Sequence, residues 1–239
     1  MTWLLHACTV LLAVGASDSA MAATDIQSRE DFCQPVLTVQ SLDCRVETIL
    51  RCDGTNGIFW RSEVYTRGGL RGLGIYDQEY VQLVRQSLAS GTTFVFDTDS
   101  SWSSTPEEIL ADGHGQEITH GVIELYGLRK PVSENHRITV IDPPLTIDGM
   151  TLHRFEFSGA LQMPLPVPPE SQDYTNYYDP STGALFFGED LSGSDGVASV
   201  VVAPVRLDYP GDPGFDSRVP EICGALSQNT QLSPQAGPA

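Results

Sequence analysis

The chain has 239 residues, of which 31 are acidic and 13 are basic, so its formal net charge at pH 7 is −18. Because nucleic acids and anionic membrane surfaces are recognised through cationic contacts, this balance argues against both as partners. The acidic residues are spread along the chain and form no acidic tail, a pattern typical of a solvated protein surface.

The N-terminal segment has the pattern of an export signal. Residues 3–16 form an uncharged apolar run, and Ala20 and Ala22 supply the small residues that signal peptidase requires. The run is too short to cross about 30 Å of hydrocarbon as a helix. We therefore predict a signal peptide over residues 1–22, cleaved after Ala22, no membrane span, and a periplasmic or secreted location.

Four cysteines follow the predicted cleavage site: Cys33, Cys44, Cys52 and Cys223. An even number in an exported chain predicts disulfides, and the absence of C-x2-C spacing argues against a metal or redox site. The strand-like segment from Cys44 to Cys52 would hold these two about 26 Å apart, beyond disulfide reach. Two pairings stay open: Cys33–Cys44 with Cys52–Cys223, and Cys33–Cys52 with Cys44–Cys223.

From residue 36 onward, short segments rich in β-branched and aromatic residues alternate with Gly, Asp and Asn turn signals. One segment breaks this pattern. Within residues 75–88, Tyr76, Tyr80, Val84 and Leu88 recur every four positions, which favours an amphipathic helix over a continuing strand meander.

Residues 97–108 allow two interpretations. Oxygen-bearing side chains at alternate positions, with a glutamate twelfth, match the ligand spacing of a calcium loop: Asp97, Asp99, Ser101, Ser103, Thr105 and Glu108. However, Trp102 stands where that loop needs glycine. The competing interpretation is a helix start, with Thr105 as N-cap, Pro106 in the first turn and Glu108 closing a capping box.

Four zinc-binding residue types lie close together in the next segment: Asp112, His114, Glu117 and His120. They do not have the His-Glu-x-x-His spacing, and two glycines argue against a helix that would place them on one face. These four residues are our candidates for a metal site, and a polar loop leading into a strand is the alternative.

The later segments predict further strands and one well-specified hairpin. Residues 174–178 and 184–187 are expected to pair across a turn formed by Asp179, Pro180 and Gly183. The acidic residues after it, Glu189, Asp190 and Asp195, are only a weak cation candidate. Residues 225–239 lack apolar residues and predict a disordered tail.

These elements together predict an α+β, β-dominated fold. We expect a single domain over residues 23–224, in which about ten short strands form a curved antiparallel sheet or partial barrel. One or two short helices pack against the sheet, and disulfides staple it. Periplasmic carriers whose curved sheet holds an apolar ligand have a similar architecture, and this likeness of fold class implies no function.

No catalytic motif accompanies this fold, because the chain has no Gly-x-Ser-x-Gly or Ser-x-x-Lys sequence. We therefore predict a non-enzymatic envelope or secreted protein that holds an apolar ligand or a protein partner on its sheet, with no cofactor. Aromatic candidates for the ligand-facing surface are Phe59, Trp60, Phe155, Phe157, Tyr177 and Phe186. The alternative is a metal-dependent hydrolase centred on His114 and His120, and calcium or zinc are the cations to consider.

Overall fold

A computed structural model describes residues 32–54, 57–164, 168–190 and 203–222. Its strands are β1 (Cys33–Ser41), β2 (Arg45–Gly54), β3 (Gly57–Thr66), β4 (Gly69–Asp77), β5 (Gln82–Ser87), β6 (Thr92–Phe96), β7 (Trp102–Ser103), β8 (His114–Leu125), β9 (Leu128–Ile147), β10 (Met150–Gln162), β11 (Glu170–Asp179), β12 (Ala184–Asp190) and β13 (Pro204–Asp208). The helix α1 (Pro106–Asp112) lies between β7 and β8. No helix in these ranges is long and apolar enough to span a bilayer.

The strands form one sheet in which every paired strand is antiparallel. Its order is β12-β11-β10-β9-β8-β6-β5-β4-β3-β2-β1-β13, and β7 pairs with β8 beside this path. Nearly all neighbours are also consecutive in the chain, as short turns between strands require. The β-dominated, single-domain fold class is confirmed, with thirteen strands and one helix in the described ranges.

The sheet curls until its two ends approach each other. Glu47 of β2 accepts a hydrogen bond from the Phe187 N–H of β12 at 3.5 Å, and Arg45 donates to the Gly188 carbonyl at 3.5 Å. The main hydrophobic core lies where the ends meet and joins residues of both: Leu37, Val39, Ile49, Trp60, Leu152, Tyr177, Ala184, Phe186 and Leu207 among them. Burial of this shared core therefore holds the sheet nearly closed.

The prediction of a helix over residues 75–88 is wrong. β4 ends at Asp77, whose carboxylate accepts the N–H groups of Glu79 and Val81, both at 2.9 Å, and the chain returns as β5. Tyr80, at φ 66°, turns out of strand register and stacks on Trp60 at 5.5 Å. The four-residue spacing arises because Tyr76 and Tyr80 lie on either side of a turn and both pack inward, and Asp77 stabilises that turn.

The helix predicted to begin at Thr105 is confirmed. The Thr105 side chain accepts the Glu108 N–H at 3.3 Å, and Glu108 accepts the Thr105 N–H at 2.9 Å, which is a complete capping box. Asp97 is also engaged, since it accepts the Asp99 N–H and the Ser100 hydroxyl. These two carboxylates of the calcium-loop spacing therefore serve two separate local turns.

Cys33 and Cys52 form a disulfide between facing positions of β1 and β2. This bond excludes the pairing Cys33–Cys44 with Cys52–Cys223 and leaves the other. Pairing of Cys44 with Cys223 stays a prediction, because Cys223 lies outside the described residues, as do the signal peptide (residues 1–22) and the tail (residues 225–239).

The segment after β13 lies against the N-terminal strands. The Asp216 N–H donates to the Thr38 hydroxyl at 2.9 Å, and the Glu221 N–H donates to the Gln40 side-chain carbonyl at 3.2 Å. Thr38 and Gln40 alternate with the core residues of β1, so this segment covers the opposite face of that strand. The C-terminal part is thus fixed to the region that contains Cys44.

The predicted hairpin is confirmed, with Tyr178 opposite Leu185 and Asp179 opposite Ala184. The buried Asp179 carboxylate accepts the Ser181 N–H at 2.9 Å and the hydroxyls of Ser181 and Thr182. Gly183 has φ 74°, a conformation in which a side chain would be strained. The side chains of Glu189 and Asp190, and the whole of Asp195, lie outside what is described.

Candidate functional site

A cavity of about 300 Å³ lies between the concave face of the sheet and α1. Residues of β4, β5, β8, β10, β11 and β12 line it, and Pro106 and Ile109 of α1 close one side. Ile109 is buried against Phe155 and Tyr178, and the Tyr178 hydroxyl donates to Glu107 at 2.5 Å. The helix is therefore fixed to the sheet by both an apolar contact and a hydrogen bond.

Aromatic rings form the apolar wall of the cavity. Phe157 and Tyr174 stack with ring centroids 4.8 Å apart, and Phe187 lies 5.8 Å from Tyr174 at a tilt of 30°. Phe155 completes this wall and is fully buried. Phe157 and Tyr174 occupy facing positions of β10 and β11, where cross-strand aromatic pairs stabilise a sheet, and Phe155 and Phe187 both lie opposite Asn176. The wall therefore presents aromatic side chains to the cavity.

An ion pair forms part of the polar wall. The Arg85 guanidinium of β5 donates to the Glu134 carboxylate of β9, whose side chain is 2% exposed, whereas that of Arg85 is 31% exposed. The guanidinium also lies 4.3 Å from the Phe94 ring centroid, a cation–π contact. Arg85 therefore borders the cavity with its charge already compensated by a buried carboxylate.

A second polar group consists of Glu117, His136 and Tyr174. Glu117 and His136 face each other across β8 and β9, with Nδ1 3.3 Å from Oε2, and the Tyr174 hydroxyl donates to Glu117 at 3.5 Å. Burial raises the pKa of Tyr174 well above its ordinary value, and the nearby carboxylates of Glu117 and Glu134 raise it further. Tyr174 therefore stays a hydrogen-bond donor throughout the physiological pH range.

Glycine makes room for one of the polar side chains. A Cβ on Gly74 would lie 2.8 Å from the Tyr76 ring, so this ring occupies space that only glycine leaves open. Burial, followed by the charge of Glu47, raises the pKa of Tyr76 to about 12. Its hydroxyl accepts a hydrogen bond from the Gln82 amide at 3.2 Å, and both residues line the cavity.

Glu47 gives a prediction for the pH dependence of stability. Burial raises its pKa above the ordinary 4.5, although Arg45 and hydrogen bonds from Ser62 and the Phe187 N–H oppose the shift. Between 4.5 and the raised value, the folded state binds more protons than the unfolded state. The contribution of Glu47 to stability therefore falls as pH rises through this window.

We expect Glu47→Gln to become more stable relative to the wild type as pH rises through that window. The difference grows by up to about 1.4 kcal/mol per pH unit. Urea unfolding of both proteins from about pH 5 to about pH 8 measures it, and taking the difference removes the contribution of all other groups. A difference that stays constant with pH would show that Glu47 keeps the same proton occupancy in both states.

The structure does not bring the four metal candidates together. His114 and His120 are exposed on one face of β8, six residues and about 20 Å apart, whereas Glu117 points to the opposite face. The contact of Asp112 with His114 is through the Asp112 backbone carbonyl, 3.0 Å from His114 Nδ1, and does not involve the Asp112 carboxylate. In residues 32–54, 57–164, 168–190 and 203–222, no three His, Cys, Asp or Glu side chains are grouped to hold a metal.

The aromatic candidates divide into three groups. Phe155 and Phe157 line the cavity, but Trp60, Tyr177 and Phe186 belong to the main core. Phe59 instead packs edge-on against Phe32. The candidates of β10 thus lie on the face that lines the cavity, whereas those of β11 and β12 lie on the face that packs into the core, since both faces of these two strands carry aromatic residues.

The polar wall was missed, although one signal was present. Val132, Glu134, His136, Ile138 and Val140 alternate along β9 and share its inner face. Two ionisable residues inside an otherwise apolar alternation mark a strand that lines a polar interior. Arg85 gave no such signal, since residues 75–88 were interpreted as a helix.

In comparisons with known proteins, no family model, no curated protein and no solved structure matches the chain.

Proposed function

We propose that this chain is a non-enzymatic exported binding protein, which holds a small amphipathic ligand in the cavity between the sheet and α1. The observation that carries the proposal is the cavity itself. A space of about 300 Å³, walled by aromatic rings and bordered by a few polar groups, has the size and composition of a small-molecule site.

The location fits this role. The Cys33–Cys52 disulfide is consistent with an oxidising extracellular or periplasmic compartment, where the predicted signal peptide would deliver the chain. The sequence also allowed a second kind of ligand, a protein partner bound on the sheet. The hydrolase alternative requires His114 and His120 to share an ion, and their positions along β8 give it no support.

Binding of the neutral fluorescent amphiphile N-phenyl-1-naphthylamine tests the proposal. The probe brightens in an apolar site, and we expect one saturable site per chain. Gln172 of β11 lines the cavity opposite Gly159. Gln172→Phe should fill part of the space and weaken binding by at least about tenfold, because an overfilled cavity excludes the probe.

Thr139→Phe is the matched control, since it adds a comparable ring to an exposed position on the outer face of β9. It should bind the probe as the wild type does. The proposal fails if the wild type shows no saturable binding, or if Gln172→Phe and Thr139→Phe bind equally well while both remain folded.

A further inference from the structure

We propose that the cavity selects ligands whose polar end is a positively charged amine, which binds at Glu117 beside the Tyr174 hydroxyl. This inference rests on the proposed function and names the chemical class of its ligand. Its basis is a count of charges and a set of hydrogen-bond acceptors with few donors on the wall of the cavity.

The charges that border the cavity do not cancel. Arg85 is the only Lys or Arg among the described lining residues, and its guanidinium is already paired with Glu134. Glu117 and Glu170 line the cavity, Glu117 buried and Glu170 at an exposed edge. Since Arg85 is paired with Glu134, which is not a lining residue, these two lining carboxylates have no lysine or arginine partner among the described residues. In a space partly shielded from water, this excess attracts a cation more strongly than it would in bulk solvent.

Arg85 does not provide an anion site in this arrangement. An anionic group that approached the guanidinium would displace or crowd the Glu134 carboxylate. Because this carboxylate is 2% exposed, water could not solvate it in place of Arg85. Breaking a buried ion pair leaves one charge uncompensated, which is strongly unfavourable. Arg85 therefore borders the cavity without forming a binding site for an anionic ligand.

The acceptors on the same wall have few donors. Asn176 Oδ1 is buried and has no hydrogen-bond partner within the described residues, and Asn176 lines the cavity. In the part of the chain that the structure describes, Glu117 accepts one hydrogen bond, the long 3.5 Å bond from Tyr174. Its Oε2 also lies 3.3 Å from His136 Nδ1, but neither His136 ring nitrogen makes a hydrogen bond within those residues. An ammonium group has three donors and no acceptor, which complements this wall.

Cations already occupy ring faces on this side of the sheet. Arg85 lies over Phe94 at 4.3 Å, and Arg45 lies over Phe187 at 5.3 Å. Phe157 and Tyr174, which line the cavity, stack on each other, so the ring faces that meet are covered. The aromatic wall therefore supplies apolar contact for the tail of an amine whose charged end lies at Glu117.

Competition with N-phenyl-1-naphthylamine by three amphiphiles with nearly equal alkyl tails tests the inference: octylamine, octanoate and 1-octanol. At neutral pH and physiological ionic strength, their polar ends are a cation, an anion and a neutral hydroxyl group, respectively. We expect octylamine to displace the probe at concentrations at least about tenfold lower than octanol, since a charge-assisted hydrogen bond adds to the shared apolar contact. Octanoate should be the weakest competitor.

Glu117→Gln should bring the ratio of octylamine to octanol affinity close to one. Glu156→Gln is the matched control, because it removes the same charge from the outer face of β10, between two cavity residues, and should leave the ratio unchanged. If Glu117→Gln is poorly folded by thermal unfolding, Glu170→Gln at the cavity edge should still lower the ratio, by a smaller factor.

The outcomes separate the two proposals. If neither N-phenyl-1-naphthylamine nor any amphiphile binds, the binding function itself fails. If the probe and octanol bind but octanoate competes as well as octylamine, the function stands and the preference for amines is overturned. If octylamine binds more tightly than octanol and neither Glu117→Gln nor Glu156→Gln changes the ratio of their affinities, the preference comes from the net negative charge of the chain. That result would overturn the role of Glu117.

Discussion

We expect Arg85→Met to lower the free energy of unfolding by about 3 kcal/mol, one of the two largest effects of a single substitution that the structure predicts. The substitution keeps an apolar stem of similar length against Phe94 but leaves the Glu134 carboxylate, 2% exposed, without its positive partner. The effect lies at the lower end of the range for buried ion pairs because the Arg85 side chain is 31% exposed. Urea unfolding monitored by circular dichroism measures it.

Arg129→Met is the matched control for this prediction. Arg129 pairs with Glu124 at 2.6 Å, but its side chain is 62% exposed, so we expect a loss of less than about 1 kcal/mol. The double variant Arg85→Met/Glu134→Leu should recover much of the stability that Arg85→Met loses, since no unpaired charge remains buried. A loss at Arg85 no larger than that at Arg129 would show that the Glu134 pair is effectively solvated.

Gly159→Ala is the second substitution with a large expected effect. A Cβ at this position would lie 2.1 Å from the Asn135 carbonyl oxygen and 2.7 Å from the His136 ring. The first contact is with the backbone of the neighbouring strand β9, so it cannot be relieved by moving a side chain. We expect a loss of about 3 kcal/mol, at the upper end of the usual cost of overpacking.

Gly72→Ala provides the comparison, because the nearest atom to its added Cβ is the Gln86 carbonyl oxygen at 3.6 Å, an ordinary contact. We expect its free energy of unfolding to lie within about 0.5 kcal/mol of the wild type. Thermal unfolding of both variants distinguishes close strand approach from a general cost of replacing glycine in this sheet. Equal losses for Gly159→Ala and Gly72→Ala would contradict the proposed close approach of β10 and β9.

Several parts of the fold could be predicted from the sequence because neighbouring residues determine them. The Thr105 capping box and the turn at Asp179 each close within a few residues, and both were predicted correctly. The exclusion of a Cys44–Cys52 bond likewise rests on the length of one strand, and the observed Cys33–Cys52 bond agrees with it.

The helix predicted over residues 75–88 failed for a tertiary reason. Tyr76 lines the cavity and Tyr80 stacks on Trp60 of β3. Both tyrosines are therefore needed for tertiary contacts, and their spacing of four residues resembles that of a helix face only by coincidence. The sequence of residues 75–88 holds no information about the contact with Trp60, so periodicity alone could not distinguish a turn from a helix.

What the sequence determined by itself is the β-rich class, the capped helix and the hairpin, since each depends on short-range sterics and hydrogen bonds. The tertiary structure decided which faces meet when the sheet curls. It placed Arg85 beside Glu134 across 49 positions of sequence, set Glu117 against Tyr174 across 57, and kept His114 apart from His120. Strand alternation fixes which residues share a face, but only closure of the whole sheet determines which faces enclose the cavity.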